Sequence, residues 1–328
     1  MKRLFFAVLA VATLASCAKE EAIRVDQGEA IAFGDAFVDN ATRVTDPSFG
    51  ANTSFTEFNV WGTANSVAIF TGDKVTGEVG YSTVDGNNVP EEWTCVKKNY
   101  WVKGVDYDFA AVAGVEKTAV TVGTDFLPSK ISYTANGDND LIYAKTENIT
   151  GQPTGQNGPV NFTFNHLLAK VKFTATTEMT TPDYEYEVSN ITITNAYGSG
   201  VYTVGATTPW GDLEAKNGGQ SFGNITVNST NKSNNCEAEK LLIPIADNVV
   251  ISCTVTLKYG VGNAEKQTIW TKECTGGNAI TMSTSLVAAH AYNFTIDLNI
   301  GEEIKFSVTD NASWGGDADD NDNEVTIE

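Results

Sequence analysis

Two histidines and five cysteines in 328 residues leave little raw material for acid–base or metal chemistry. No CxxC spacing occurs, so a zinc site has no support. His166 and His290 stand apart in β-like segments, and spacing supplies neither with a nucleophile to activate. A hydrogen-bonded structural histidine is the better reading of both. Basic side chains are also scarce, 21 Lys and Arg against 41 Asp and Glu, for a net charge of −20. So acidic a surface repels phosphate backbones, which argues against nucleic acid as a partner. Among the acids no pair stands out for glycoside hydrolysis, and a solvated acidic face is the default. Asp317, Asp319, Asn321 and Glu328 fall at calcium-loop positions, but Asp322 stands where the turn requires glycine. No catalytic residue, metal or cofactor is therefore expected.

Hydrophobic residues at 41% and aromatics at 10% are enough to fold the chain. Its length fits two domains of ordinary size. At the start, Lys2 and Arg3 precede an apolar run from Leu4 to Ala15, broken only by Thr13. That run has the length of a signal-peptide core and is too short to span a bilayer as a helix. It ends in Leu14-Ala15-Ser16-Cys17, which resembles the bacterial lipobox. Small residues admit the backbone to a signal peptidase, and the Cys17 thiol can accept a diacylglyceryl group. Lys19-Glu20-Glu21 then resembles the short surface-export signal of Bacteroidales lipoproteins. The expectation is a lipid-anchored protein of the outer membrane or cell surface, with residues 1–16 removed.

From residue 50 onward the chain reads as strands, with apolar and polar residues alternating between turn signals. Val160, Phe162 and Phe164 share one face, and Leu167, Ala169, Val171 and Phe173 another. Segments 249–259, 292–298 and 304–308 repeat the habit. Asp85-Gly86-Asn87-Asn88, Asn136-Gly137-Asp138 and Tyr197-Gly198-Ser199-Gly200 read as turns. No long stretch carries a helical period. The expected class is all-β, as sandwich domains. Gly151, Pro153, Gly155, Gly158 and Pro159 crowd a polar segment, which places a domain boundary at 158/159. Cys95, Cys236, Cys253 and Cys274 allow three pairings. Cys253 and Cys274 lie in segments expected to be neighbouring strands, with buried free thiols as the equal alternative. Of the six tryptophans, Trp210 in Pro209-Trp210-Gly211 is the best candidate for an exposed sugar platform, the others for core packing.

Several segments in order carry a family resemblance. They are Trp93, Tyr100-Trp101, residues 107–110 (YDFA), 140–144 (DLIYA), 160–173 (VNFTFNHLLAKVKF), 292–296 (YNFTI), and 304–308 (IKFSV) running on to Trp314. Together with the lipoprotein start, this pattern resembles the fimbrillin-like family of Bacteroidales, the type V pilins. The resemblance implies two tandem transthyretin-like β-sandwich domains, 44–158 and 159–328, after a tether and removable strand at 17–43. It implies that an arginine-specific protease cuts the loop after the first strand, and that another subunit's C-terminal strand fills the groove so opened. Ile23, Val25, Ile31, Phe33 and Phe37 suit the removable strand, and Arg43, followed by Val44, is the favoured cleavage residue. Ile304, Phe306 and Val308 are donor-strand candidates, although completing their own sandwich is the simpler role; Val325 and Ile327 are further candidates. The expected partners are other fimbrial subunits, the outer membrane through the lipid, and a host or bacterial surface ligand. The alternative is a monomeric glycan-binding lipoprotein or a fimbrial tip or anchor adhesin. A cell-surface hydrolase ranks third. Metabolic labelling with a palmitate analogue is expected to mark the wild-type chain and to be lost in Cys17→Ala; label retained by the variant would exclude lipidation there.

Overall fold

The computed structural model describes residues 28–38, 56–84, 87–262, 265–312 and 325–327. Among them the chain is all-β, with two single-turn 3₁₀ segments at Lys117–Ala119 and Gly276–Asn278 and no α-helix. The first part contributes β1 (Phe33–Val38), β2 (Glu57–Ala64), β3 (Val67–Val84), β4 (Asn87–Cys95), β5 (Asp106–Ala113), β6 (Val120–Val122), β7 (Pro128–Thr134) and β8 (Ile142–Thr150). The middle contributes β9 (Val160–His166), β10 (Ala169–Thr176), β11 (Tyr184–Ile193), β12 (Tyr197–Thr203), β13 (Trp210–Ala215), β14 (Gln220–Asn228), β15 (Ser233–Asn235) and β16 (Lys240–Leu242). The last are β17 (Val249–Tyr259), β18 (Gln267–Cys274), β19 (Ile280–Met282), β20 (Ala291–Asp297), β21 (Ile304–Asn311) and β22 (Val325–Ile327).

Strict alternation does what a period of two dictates. In β9, Val160, Phe162, Phe164 and His166 are buried while the residues between them are exposed. In β17, Val249, Ile251, Cys253 and Val255 point inward. The order β1-β4-β3-β2-β5-β8-β9 closes into a barrel, with β1 parallel to β9 and antiparallel to β4. Its interior is aromatic, built on Phe33, Phe58, Phe70, Trp93, Trp101, Tyr107, Phe109, Phe162 and Phe164. The segment 151–159 is the connection between β8 and β9, so β9 on its far side completes the barrel.

The C-terminal part is a sandwich. One sheet runs β15-β10-β20-β21-β22, with β16 beside β10; the other runs β14-β11-β17-β18, with β19 beside β17. Their inner faces meet in a single core, where Phe173 stacks on Phe294 at 5.2 Å and meets Phe222 edge-on at 4.7 Å. A third core joins the two parts. Strand β5 is buried on both faces: Phe109, Ala111 and Ala113 line the barrel, whereas Ala110 and Val112 face outward onto Ile131, Tyr133, Leu167, Leu168 and Ile243. Over this face lies the sheet β13-β12-β7-β6, in which β7 pairs with β12 from Lys130↔Thr203 to Thr134↔Ser199.

One turn expectation is corrected, and the one at Asp85-Gly86 lies outside the described residues. Tyr197-Gly198-Ser199-Gly200 is strand β12 and not a turn, because it is paired on both sides, to β7 and to β13. The turn at Asn136-Gly137-Asp138 does form, with Gly137 at φ +90° and the Asn136 side chain accepting from the Asp138 and Asn139 N–H groups. Phe306 is fully buried in the sandwich core. Phe306→Ala is expected to lower stability by about 3–5 kcal/mol, read as a reduced urea midpoint with unchanged slope.

Candidate functional site: the N-terminal strand and its cradle

Among the described residues, β1 is the strand that bridges β4 and β9. The approach to it is fixed by main-chain bonds. Trp101 N–H donates to the Glu29 carbonyl at 2.9 Å, Ile31 N–H to the Asn99 carbonyl at 2.8 Å, and Val160 N–H to the Ala32 carbonyl at 2.8 Å. Ala30 forms an isolated bridge with Tyr100. The Tyr107 hydroxyl donates to the Tyr100 carbonyl and accepts from Val102 N–H, which holds the 100–102 segment against the barrel. Trp101 then packs edge-on against Tyr107 at 4.7 Å.

Among the described side chains of this segment, Ile31 and Phe33 are buried. The Phe33 ring meets Phe70 at 5.5 Å, Phe162 at 6.1 Å, Phe58 at 6.2 Å and Phe109 at 6.3 Å. Such ring pairs each add about 0.5–1.5 kcal/mol beyond buried area. Without Phe33, four rings lose their common neighbour and face a cleft. Gly34 follows for a steric reason: a Cβ there would lie 2.2 Å from the Asn161 Oδ1 and 2.8 Å from Pro159 Cγ.

The Glu29 carboxylate ties the segment to the 151–159 connection. One oxygen accepts from the Asn157 side-chain amide at 2.8 Å, from Gly155 N–H at 2.9 Å and from Asn157 N–H at 3.2 Å. Chiefly the Asn157 amide, with the two backbone N–H groups, holds the Glu29 carboxyl below its ordinary value, against a smaller opposing effect of burial.

Of the residues expected to act, Cys17, Lys19, Glu20, Glu21, Arg43 and Val44 lie outside the described residues, as do Ile23, Val25, Trp314 and the acidic tail. Arg43 belongs to the connection between β1 and β2. Ile304, Phe306 and Val308 all point into their own sandwich core from β21, which pairs with β20 from Lys305 to Asn311 and with β22 at Ile304–Phe306. Trp210 is not an exposed platform: its indole N–H donates to the Leu167 carbonyl at 3.1 Å and its ring packs on Tyr133 and Tyr202. Trp270, on β18, is instead 42% exposed. His166 is buried against Asp140 at 2.6 Å, and His290 pairs with Asp310 at 2.8 Å, so each histidine has a carboxylate partner. Of the rings around Phe33, Phe109 and Phe162 fall in segments that carry the family resemblance, whereas Phe58, Phe70 and Glu29 were not singled out by the sequence. Glu29 carries no pattern that would mark it.

Fold and site define an all-β protein whose barrel is completed by its own N-terminal strand. Residues 42–311 match the fimbrillin-like family profile, and the chain belongs to that family. No curated protein matches it. Among solved structures it is similar to a candidate cell adhesion protein of Bacteroides uniformis, at 17% identity over 88% of this chain and 98% of that one, TM-score 0.49. It is also similar to a fimbrial assembly protein of Parabacteroides distasonis, at 11% identity over 92% and 98%, TM-score 0.44.

A carboxylate with a depressed folded pKa stabilises above its unfolded pKa, and that contribution fades as pH falls through the folded one. The difference in thermal midpoint between wild type and Glu29→Gln is therefore expected to be full above the ordinary carboxylate range and to shrink as pH falls through and below it. A difference independent of pH would exclude the latch.

Proposed function

We propose that this protein is a structural subunit of surface fimbriae that supports adhesion. It is made as a precursor lipidated at Cys17 and directed outward by Lys19, Glu20 and Glu21. The observation that carries the reading is the closure of the barrel by β1 alone. Cleavage after Arg43, in the connection between β1 and β2, would sever β1 from the barrel covalently. Among the described contacts, the ladder bonds, the Glu29 contacts and the Ile31 and Phe33 side chains would then retain it. Loss of β1 leaves a slot between β4 and β9 lined by aromatic rings, with the unpaired backbone groups of both neighbours at its edges. Such a slot takes an extended strand: main-chain bonds supply affinity and alternate side chains fill the vacated positions. Another subunit's C-terminal segment is the incoming strand in this reading. Because Ile304, Phe306 and Val308 already complete their own core, the edge strand β22, with Val325 and Ile327, is the cheaper donor to release.

A second reading, a surface glycan-binding lipoprotein, is favoured by one feature. Trp270 and Tyr186 line a cleft of about 560 Å³ together with Lys272, Glu302 and Glu303, an aromatic face beside polar groups of the kind that suits a sugar.

N-terminal sequencing of surface-purified protein is expected to begin at Val44, with heat-sensitive ladders on a gel. Arg43→Ala is expected to stay at precursor size and form no ladder. Intact monomeric wild-type protein at the surface would overturn the filament reading in favour of the second.

A further inference from the structure

The four described cysteines are in distinct surroundings. Cys236 is a satisfied buried thiol: its sulfur accepts from Phe173 N–H and donates to the Ala238 carbonyl, both at 3.3 Å. Cys95 lies in barrel strand β4, opposite Val75. Cys253 and Cys274 are directly opposed across the antiparallel β17–β18 ladder. Residues opposed in this way point to the same face, with Cα atoms about 4.5–5.5 Å apart. That spacing falls inside the range a disulfide spans. Both side chains are fully buried in the same sandwich core. Among the described residues no other two cysteines are paired in a ladder.

The place in the fold gives such a bond something to do. Strand β18 is the outer strand of its sheet, and Gln267 to Thr271 are exposed, including Ile269 and Trp270. Cys274, its last residue, is the one side chain of the strand that is buried in the core. The rest of β18 is held by its ladder and by surface contacts. A covalent tie at Cys274 would fix the end of an otherwise weakly held edge.

We propose that Cys253 and Cys274 are a disulfide-forming pair that staples edge strand β18 to β17, while Cys95 and Cys236 remain thiols. In forming the bond the two thiols release two protons and two electrons, and a disulfide-class oxidant accepts the electrons to become two thiols. Cys253 donates a hydrogen bond to the Cys274 sulfur, which with the nearby Lys272 charge favours the Cys274 thiolate and holds Cys253 protonated. The thiolate is the species that attacks an oxidant disulfide. Formation in the cell rests on the reading of the chain as exported, where such oxidants are met; the chemistry of the pair does not.

The test is peptide mapping of the full chain refolded from the reduced state in a glutathione redox buffer, alkylated, and cut with trypsin without reduction. The lysines at 240, 258, 272 and 305 place Cys253 in peptide 241–258 and Cys274 in peptide 273–305. The expected product is those two peptides joined, with Cys95 and Cys236 alkylated. Cys253 and Cys274 both alkylated, or joined to other cysteines, would overturn the proposal. Reductant is expected to lower the thermal midpoint of the oxidised wild type by roughly 5–10 °C and to leave a Cys253→Ser, Cys274→Ser double variant unchanged. An equal effect of reductant on both proteins would also count against the staple. Because this measurement uses purified protein, its failure is distinct from a failure of the export reading, which Cys17 labelling decides.

Discussion

Everything in the N-terminal half depends on one strand filling one gap. β4 and β9 each present a ladder edge that β1 satisfies. Phe33 supplies the ring around which Phe58, Phe70, Phe109 and Phe162 are arranged. A closed sheet has no free edge and is protected from pairing with other chains. Here that protection rests on a segment at the very start of the barrel, joined to it through a single connection. Aromatic packing and the Glu29 contacts are concentrated on residues 29–33, and the ladder to β9 carries on from there to Val38, so one short segment holds them all.

The barrel and the sandwich are also not independent beads. Alanine at 110 and 111 lets β5 be covered on both faces, by the aromatic barrel on one side and the third core on the other. The pairing of β7 with β12 adds a ladder that crosses from the first half of the chain to the second. A disturbance of the barrel that moves β5 is felt at Ile131, Tyr133 and Leu168. From there it reaches Trp210 through Tyr133. This is contiguity of packing, and it gives the two halves a mechanical connection broader than a linker.

Much of this was legible from alternation alone. Val160 to Phe173 and Val249 to Tyr259 read as strands, and the positions expected to share a face are buried, although Leu168 and Lys170, of the opposite parity, are buried as well. The apolar pair Ile31 and Phe33 was visible as strand material. What sequence could not show are the long-range pairings. Tyr197-Gly198-Ser199-Gly200 has turn composition, yet its glycines serve close approach: a Cβ on Gly200 would lie 2.8 Å from the Leu213 Cδ2. Trp210 has a loop-like setting, and only the fold brings the Leu167 carbonyl to its N–H. The Pro- and Gly-rich segment 151–159 reads as a break, whereas here it also supplies the N–H groups that grip Glu29. Parallel pairing of β1 with β9 leaves no local trace at all.

That last pairing has a consequence for the order of events as the chain is made. Phe33 leaves the ribosome early, but its partner Val160 and the cradle ring Phe162 follow only after all the intervening barrel strands. Contacts between such distant positions carry a large loop-closure cost and form late. During that interval the strand has no seat and the partly made barrel has an open seam. The nascent chain thus passes through an unclosed state on its way to the finished fold, with the seam open until the first strand finds its place.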